Sequence, residues 1–215
     1  MAGSSLSSLT ARLAITDEQA MWRVKMQDDP EAFAHLVARW EKPVQRLGLR
    51  LTGDAHRGED LAQETFARLF ARRKTYEPSG RFSTFLWRLA LNLCYDELRR
   101  IKRRGELSLE DEHHDSGDDR FVAQEPAPDS RLVEQERGEA VRRALLELSE
   151  PYRVVVVLRH YEGLKFREIG ELLDIPEGTV KSRMAEALSQ LNRILNPVLA
   201  DAAGPAKRTN ESLIL

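Results

Sequence analysis

Phe166-Arg167-Glu168-Ile169-Gly170-Glu171-Leu172-Leu173, followed by Asp174-Ile175-Pro176-Glu177 and by Gly178-Thr179-Val180-Lys181-Ser182-Arg183 running on toward Leu195, is the stretch whose pattern decides the fold. Apolar residues recur at helical spacing on both sides of a short polar break, so two helices are joined by a tight turn. Ile169, Leu173, Ile175, Val180 and Met184 point inward, the arrangement of a helix-turn-helix. Val180, Met184, Leu188, Leu191 and Leu195 form the predicted buried stripe of the second helix. Gly178, Lys181, Ser182, Ala185 and Ser189 fall on its outward face. Upstream, Ser149-Glu150-Pro151 opens a helix that carries Val154 to Leu158 and stops near Gly163.

In a helix-turn-helix the N-terminal part of the second helix enters the major groove, where Lys181, Ser182 and Arg183 can reach phosphates or base edges. A small helical bundle with a glycine turn is the alternative reading of the same pattern.

The N-terminal half is a second helical block. Asp29-Pro30-Glu31 supplies an N-cap, a proline for the first turn and an early acid. Phe33, Leu36, Val37 and Trp40 follow at helical spacing, and Pro43 is expected to kink the helix or split it. The pattern resumes through Val44, Leu47 and Leu51 to Gly53, a helix stop, and Asp54, a new cap. The next helix carries Leu61, Ala62, Thr65, Phe66, Leu69 and Phe70, with Gly58 in its first turn as a weak point of about 1 kcal/mol against alanine.

Lys74 to Ser83, with Pro78, Ser79 and Gly80, reads as a loop, and a long helix follows from about Thr84 to Arg103. Leu86, Leu89, Ala90, Leu93, Cys94 and Ile101 share one arc of it, whereas Arg88, Asn92, Tyr95, Arg99, Lys102 and Arg103 share the opposite one. Cations mixed with an amide and an aromatic suit phosphates and bases. A solvated helix face would also account for the stripe, but five cations in the six positions Arg99 to Arg104 favour nucleic acid.

Charge is distributed to match. The formal net charge of the 215 residues is −2, yet residues 30–104 hold 16 Lys/Arg against 9 Asp/Glu, a net of +7. Residues 105–130 hold one Arg against 9 acids, a net of −8, and residues 139–200 balance at 9 against 9. A partner feels the distribution rather than the mean. The acidic stretch, with Glu110-Asp111-Glu112, Asp118-Asp119 and Pro126-Ala127-Pro128, has too few apolar residues to offset the entropy of ordering it.

The expected architecture is therefore all-α, two small helical domains joined by a flexible acidic linker, the second containing the helix-turn-helix. The segments are a weakly patterned 1–27, a first domain at 28–104, a linker at 105–138, a second domain at 139–196 and a tail at 197–215.

Three motifs carry a resemblance to a known family. Asp60-Leu61-Ala62-Gln63-Glu64-Thr65-Phe66, Phe82-Ser83-Thr84-Phe85-Leu86-Trp87-Arg88-Leu89-Ala90-Leu91-Asn92 and Gly178-Thr179-Val180-Lys181-Ser182-Arg183 occur in that order, with the acidic connector between the second and third. The chain resembles a bacterial RNA polymerase sigma factor of the sigma-70 family, in its extracytoplasmic-function (ECF) group, over roughly residues 28–104 and 139–196.

The resemblance implies binding to core RNA polymerase, recognition of −10 and −35 promoter elements in DNA, help in opening the duplex and control by an anti-sigma factor; a cytoplasmic location is expected because the single cysteine, Cys94, cannot form an internal disulfide and fits a reducing compartment. It assigns polymerase binding to Asp60, Gln63, Glu64 and Phe66. Contact with the −10 element falls to Tyr76, Arg81, Arg88, Asn92, Tyr95, Arg99, Lys102 and Arg103, with the loop from Tyr76 to Ser83 and Asn92 matching the places where a flipped base is held. Trp87 and Phe85 read as core or near-core aromatics rather than intercalators. Contact with the −35 element falls to Gly178, Thr179, Lys181, Ser182, Arg183, Ala185 and Glu186. The linker would thread toward the active-site and RNA-exit channels of the polymerase; a solubilising tether is the plain alternative.

Two positions depart from the family pattern. Ala185-Glu186 stands where a basic or aromatic pair is common, so the −35 sequence cannot be borrowed from relatives; an acid there could accept from a cytosine amine. Asp174 occupies a turn position where glycine is usual.

Other function classes find less support. A stand-alone helix-turn-helix regulator would explain residues 139–196 but leaves the Asp60–Phe66 motif and the basic helix after it without a purpose. No glycine-rich phosphate loop or nucleophile motif suggests an enzyme, and no cofactor is implied. Adjacent His113-His114 lacks metal-ligand spacing, and Cys94, the single cysteine, lies on a buried stripe. No apolar run is long enough to span a membrane, and the N-terminus lacks the charge and apolar block of a secretory signal.

Overall fold

A computed structural model describes residues 15–77, 80–107 and 128–202, and the side chains of 15–77, 80–105 and 138–196. Every regular element among them is helical, in two compact units, the first holding four helices and the second another four.

In the first unit α1 (Asp17–Gln27) precedes α2 (Pro30–Thr52), α3 (Ala55–Ala71), a 3-10 turn at Arg73–Thr75 and α4 (Phe82–Leu107). The predicted caps are in place. Asp29 accepts from the N–H groups of Glu31 and Ala32, and Gly53 ends α2 in the left-handed region at φ 82°. Asp54 accepts from the Arg57 N–H at 3.1 Å to start α3. Helix α2 passes through Pro43 as one element rather than two.

The core joins Met21 and Val24 of α1, Leu36, Leu47 and Leu51 of α2, Leu61 and Leu69 of α3, and Leu86, Ala90, Leu93 and Cys94 of α4. Burial pushes the Cys94 thiol up to about 12, which suits a core residue and not a nucleophile.

Two readings of this unit are corrected. Residues 1–27 are not all without pattern: α1 is a capped helix whose Thr16 hydroxyl accepts from the Gln19 N–H while the Gln19 side chain accepts from the Thr16 N–H. Gly58 is not a weak point but a contact point. A Cβ on Gly58 would sit 2.7 Å from the Gln45 carbonyl oxygen, and one on Gly48 would sit 2.8 Å from the Gly58 Cα, so glycine lets α2 and α3 touch backbone to backbone.

In the second unit α5 (Pro128–Glu147), α6 (Glu150–Val156), a π-helical turn at Val157–Tyr161, α7 (Phe166–Leu173) and α8 (Glu177–Ala202) surround Val154, Val155, Val157, Leu158, Ile169 and Val180. Helices α4 and α5 take in both ends of the stretch read as linker, through Leu107 and from Pro128. Residues 108–127, with His113 and His114, lie outside the described residues, as do 1–14 and 203–215 of the terminal segments.

Helix α8 corrects the predicted stripe. Leu188 is 51% exposed, and Ala187 is fully buried against Leu145, Leu148 and Val156. The inward sequence is Val180, Met184, Ala187 and Leu191, a three-four alternation. Among the described residues no helix is long and apolar enough to cross a membrane.

Candidate nucleic-acid and polymerase interfaces

Three exposed helix faces carry the residues singled out from sequence. On α3, Asp60, Gln63 and Glu64 lie on one solvent-facing edge beside the exposed Ala67. Arg68 Nε donates to Glu64 at 2.7 Å, a surface pair one turn apart. The edge is an acid, an amide and a second acid next to a residue too small to obstruct approach, a shape suited to a basic partner.

Phe66 does not belong to that edge. It lies about 200° round the helix from Glu64, is 6% exposed and packs edge-on to Phe33 with ring centres 6.4 Å apart. Its part in any contact is to hold α3 in place.

The root of α3 is tied to α4. Arg57 donates to Asp54 at 3.0 Å and reaches across to Glu97, which also accepts from Arg100 at 3.1 Å. Burial would raise the Asp54 carboxyl, but the Arg57 N–H and guanidinium outweigh it and hold the carboxyl below its usual range.

On α4, Arg88, Asn92, Arg99, Lys102 and Arg103 are exposed along one face, and Tyr95 on the same face is half-buried. Asp96, which the stripe as read from sequence omitted, pairs with Arg99 at 3.1 Å. The face therefore offers an exposed amide between cations, and Asp96 partly neutralises Arg99. Trp87 is buried and packs edge-on to Trp40 at 5.6 Å, and Phe85 is half-buried, so neither is placed as an intercalating wedge.

The loop before α4 supplies the main correction. Arg81 is exposed, but Tyr76 is 1% exposed, with its ring 5.4 Å from Phe85 and 6.4 Å from Phe82. Burial, reinforced by Glu18 and Asp17, pushes the Tyr76 phenol up to about 12. Tyr76 is a core residue that anchors the loop rather than a ring offered to a base; its apolar neighbours Phe82 and Phe85 lie far enough along the chain that a loop reading did not show them.

The missed contributors are on α1. Lys25 Nζ donates to the Tyr76 carbonyl at 2.6 Å, and Glu18 accepts from the Phe82 N–H at 3.2 Å. The Thr16-Asp17-Glu18-Gln19 capping pattern, with Ala20, Met21 and Val24 behind it, is the signal that could have revealed this helix.

In the second unit the turn between α7 and α8 is built by close backbone approach. A Cβ on Gly170 would meet the Ile175 carbonyl oxygen at 2.8 Å, and the Ile175 N–H donates to the Gly170 carbonyl at 3.0 Å. Asp174 takes the left-handed conformation at φ 55°, the role a glycine would otherwise fill.

This turn presents Gly178, Lys181, Ser182, Ala185, Glu186 and Ser189 to solvent, with Thr179 and Arg183 half-buried. Lys181 pairs with Glu177 at 2.7 Å, and the Ser182 hydroxyl donates to the Thr179 carbonyl at 3.0 Å. Glu186 accepts from the Gln190 amide at 2.8 Å, with an Arg193 nitrogen 3.7 Å away. The face can offer donors from its first turns and a carboxylate acceptor farther along, the complement of a groove with phosphates at one level and a base amine at another.

Comparison with known proteins accounts for both units. Residues 36–104 match the family model for sigma-70 region 2, and residues 138–191 match that for sigma-70 region 4. The ECF RNA polymerase sigma factor SigW of Bacillus subtilis is 33% identical over 169 residues, covering 78% of this chain and 90% of the relative. The RNA polymerase sigma-H factor of Pseudomonas aeruginosa is 29% identical over 189 residues, covering 86% and 97%. Among solved structures, the sigma factor RpoE of Bartonella quintana, in complex with the anti-sigma factor NepR, superposes with a TM-score of 0.62 at 20% identity, over 77% of this chain and 98% of that one. CnrH in complex with the cytosolic domain of CnrY gives a TM-score of 0.62 at 20% identity, over 84% and 97%.

Proposed function

The chain belongs to the ECF group of sigma-70 RNA polymerase sigma factors, and from that premise we propose how its exposed faces divide the work. It is an initiation factor: it binds core RNA polymerase, directs it to −10 and −35 elements and promotes opening of the duplex, while the polymerase performs the chemistry. The observation that carries this function is the presence in one chain, in order, of a region 2 match and a region 4 match. A stand-alone helix-turn-helix regulator would need only the second.

Asp60, Gln63 and Glu64 are the polymerase-binding edge. Their charge and exposure suit a basic coiled coil, and Phe66 supports them from the core. Asn92 reads a −10 base exposed by melting, because an unstacked base offers its edge to an amide and loses stacking that a shaped site must replace. Arg81, Arg88, Arg99, Lys102 and Arg103 neutralise the strand around it, with Tyr95 beside them.

Lys181, Ser182 and Arg183 meet the −35 element in the major groove, with Gly178, Thr179 and Ala185 allowing close approach. Glu186 accepts from a cytosine amine. An anti-sigma factor that covers these faces is the regulatory partner, a reading supported by a sigma factor of this fold solved in complex with the anti-sigma factor NepR. The domains are 28–104 and 139–196, extended at the front by α1.

The polymerase edge is tested by replacing Gln63 and Glu64 together with alanine and measuring affinity for core polymerase by fluorescence anisotropy. Affinity falls about tenfold or more, as for a small cluster of interface residues at about 1–2 kcal/mol, while thermal stability stays at the parent value. Unchanged affinity removes the edge from the interface.

A further inference from the structure

The connection between the 3-10 turn and α4 is fastened at both ends to α1. At its start Lys25 Nζ donates to the Tyr76 carbonyl at 2.6 Å, Lys74 Nζ donates to the Lys25 carbonyl, and Arg73 pairs with Asp28. At its end a Glu18 carboxylate oxygen accepts from the Phe82 N–H at 3.2 Å, one of the N–H groups that the first turn of α4 leaves without an intrahelical partner. Glu18 and Lys25 are seven residues apart on α1, two turns on the same side, so they stand about 10 Å apart along its axis. Helix α1 thus sets the separation of the two ends of the connection.

We infer that α1 is a brace for −10 recognition, in which Glu18 and Lys25 are positioning residues that hold the backbone at Tyr76 and Phe82 and thereby deliver Arg81 and the N-terminal turn of α4 to the melted strand. The inference rests on the reading of the α4 face as the −10 surface. Both side chains act on backbone atoms, so they fix where the chain runs whatever side chains the loop carries. Glu18 is exposed and Lys25 half-buried, whereas the local core is made by Tyr76, Phe82, Trp40 and Trp87. Removing the two fasteners leaves that core intact and loosens the backbone that places Arg81. The cost then falls on the step that needs Arg81 and the first turn of α4 already in place, because groups ordered only on binding subtract their ordering entropy from the interaction.

The experiment uses holoenzyme reconstituted from core polymerase and the full chain, on a promoter fragment taken upstream of a start mapped after overexpression. Glu18→Ala with Lys25→Met, and separately Glu18→Gln, are compared with the parent for core affinity, thermal stability and the permanganate reactivity of −10 thymines. The double variant opens the promoter roughly tenfold less, the order expected for one or two lost charge-assisted hydrogen bonds, with core affinity unchanged and a melting temperature lowered by only the few degrees that a lost helix cap costs. Glu18→Gln, which keeps an oxygen for the Phe82 N–H, recovers most of the opening.

Parent-level opening by the double variant overturns the inference. A matching fall in core affinity, or a variant that is partly unfolded at the assay temperature, also overturns it, by making the contacts purely structural. If the parent holoenzyme binds core but opens no promoter, the −10 reading itself falls and takes the brace with it.

Discussion

Replacing Gly58 with alanine tests the packing on which the polymerase edge stands. The added Cβ would lie 2.7 Å from the Gln45 carbonyl oxygen and 3.0 Å from the Leu49 amide nitrogen, both backbone atoms of α2 that cannot swing aside. Restoring ordinary contact means parting α2 and α3 by roughly 0.5–0.8 Å, and a gap of that size forfeits about a quarter to a half of the dispersion energy across it. Overpacking of this kind costs about 1–3 kcal/mol. Alanine returns about 1 kcal/mol through its better helix propensity.

The net result is a loss of up to about 2 kcal/mol, a fall of up to roughly 15 °C in the melting temperature of a unit this size. Gly58→Val loses more. Gly105→Ala, in the same unit and with nothing within 4 Å of its Cβ, should match or exceed the parent. All three tryptophans, Trp22, Trp40 and Trp87, lie in this unit, so urea unfolding followed by tryptophan fluorescence reports on it alone. A Gly58→Ala variant at least as stable as Gly105→Ala would refute the close crossing of α2 and α3.

Three further outcomes follow from the same geometry. Asn92→Ala changes base preference at one −10 position by about tenfold, the loss of about 1–3 kcal/mol of base discrimination, with core affinity unchanged; a selection of promoter variants by sequencing of transcripts reads this, and an unaltered preference removes Asn92 from the pocket. Tyr76→Ala destabilises the first unit by about 3–5 kcal/mol, as for a buried aromatic, in the same urea assay; parent stability with a −10 defect would return Tyr76 to the surface. Asp54 has a folded pKa below its unfolded value, so its contribution is present above about pH 4 and is lost as pH falls through the folded value. Asp54→Ala therefore costs about 1 kcal/mol at pH 7 and progressively less below the folded pKa, and an equal cost across that range would contradict the sign.

Local chemistry was legible in the sequence wherever a few adjacent residues decide the backbone. Asp29-Pro30-Glu31, Gly53-Asp54 and the turn at Asp174 all do what their side chains dictate, since caps and left-handed turns are settled within four residues. The outward faces of α3, α4 and α8 were equally legible, because helical periodicity alone separates them from the core. What was not legible depends on partners distant in the chain. Phe66 and Tyr76 are aromatic residues beside motif positions, and only the packing of Phe33 on one and of Phe82 and Phe85 on the other moves them inside. Gly58 changes from a liability to a requirement once α2 lies against it. Ala187 rather than Leu188 lies in the core because the position on α8 that faces Leu145, Leu148 and Val156, not side-chain size, selects the buried residue. Helix α1 escaped notice because its apolar residues do not share one face, Trp22 and Met26 lying exposed while Ala20, Met21 and Val24 are buried, and its capping box and its contacts with the loop reveal it instead.

The most direct measurement is start-site selection in a reconstituted reaction. Core polymerase, purified free of other sigma factors, is combined with this chain on DNA upstream of genes induced by its overexpression, and transcript ends are mapped. The account predicts starts at discrete sites, each preceded by a shared −35 and −10 pair and absent when the chain is omitted. A polymerase that initiates normally with another sigma factor but selects no start with this one, on any of those fragments, would contradict it.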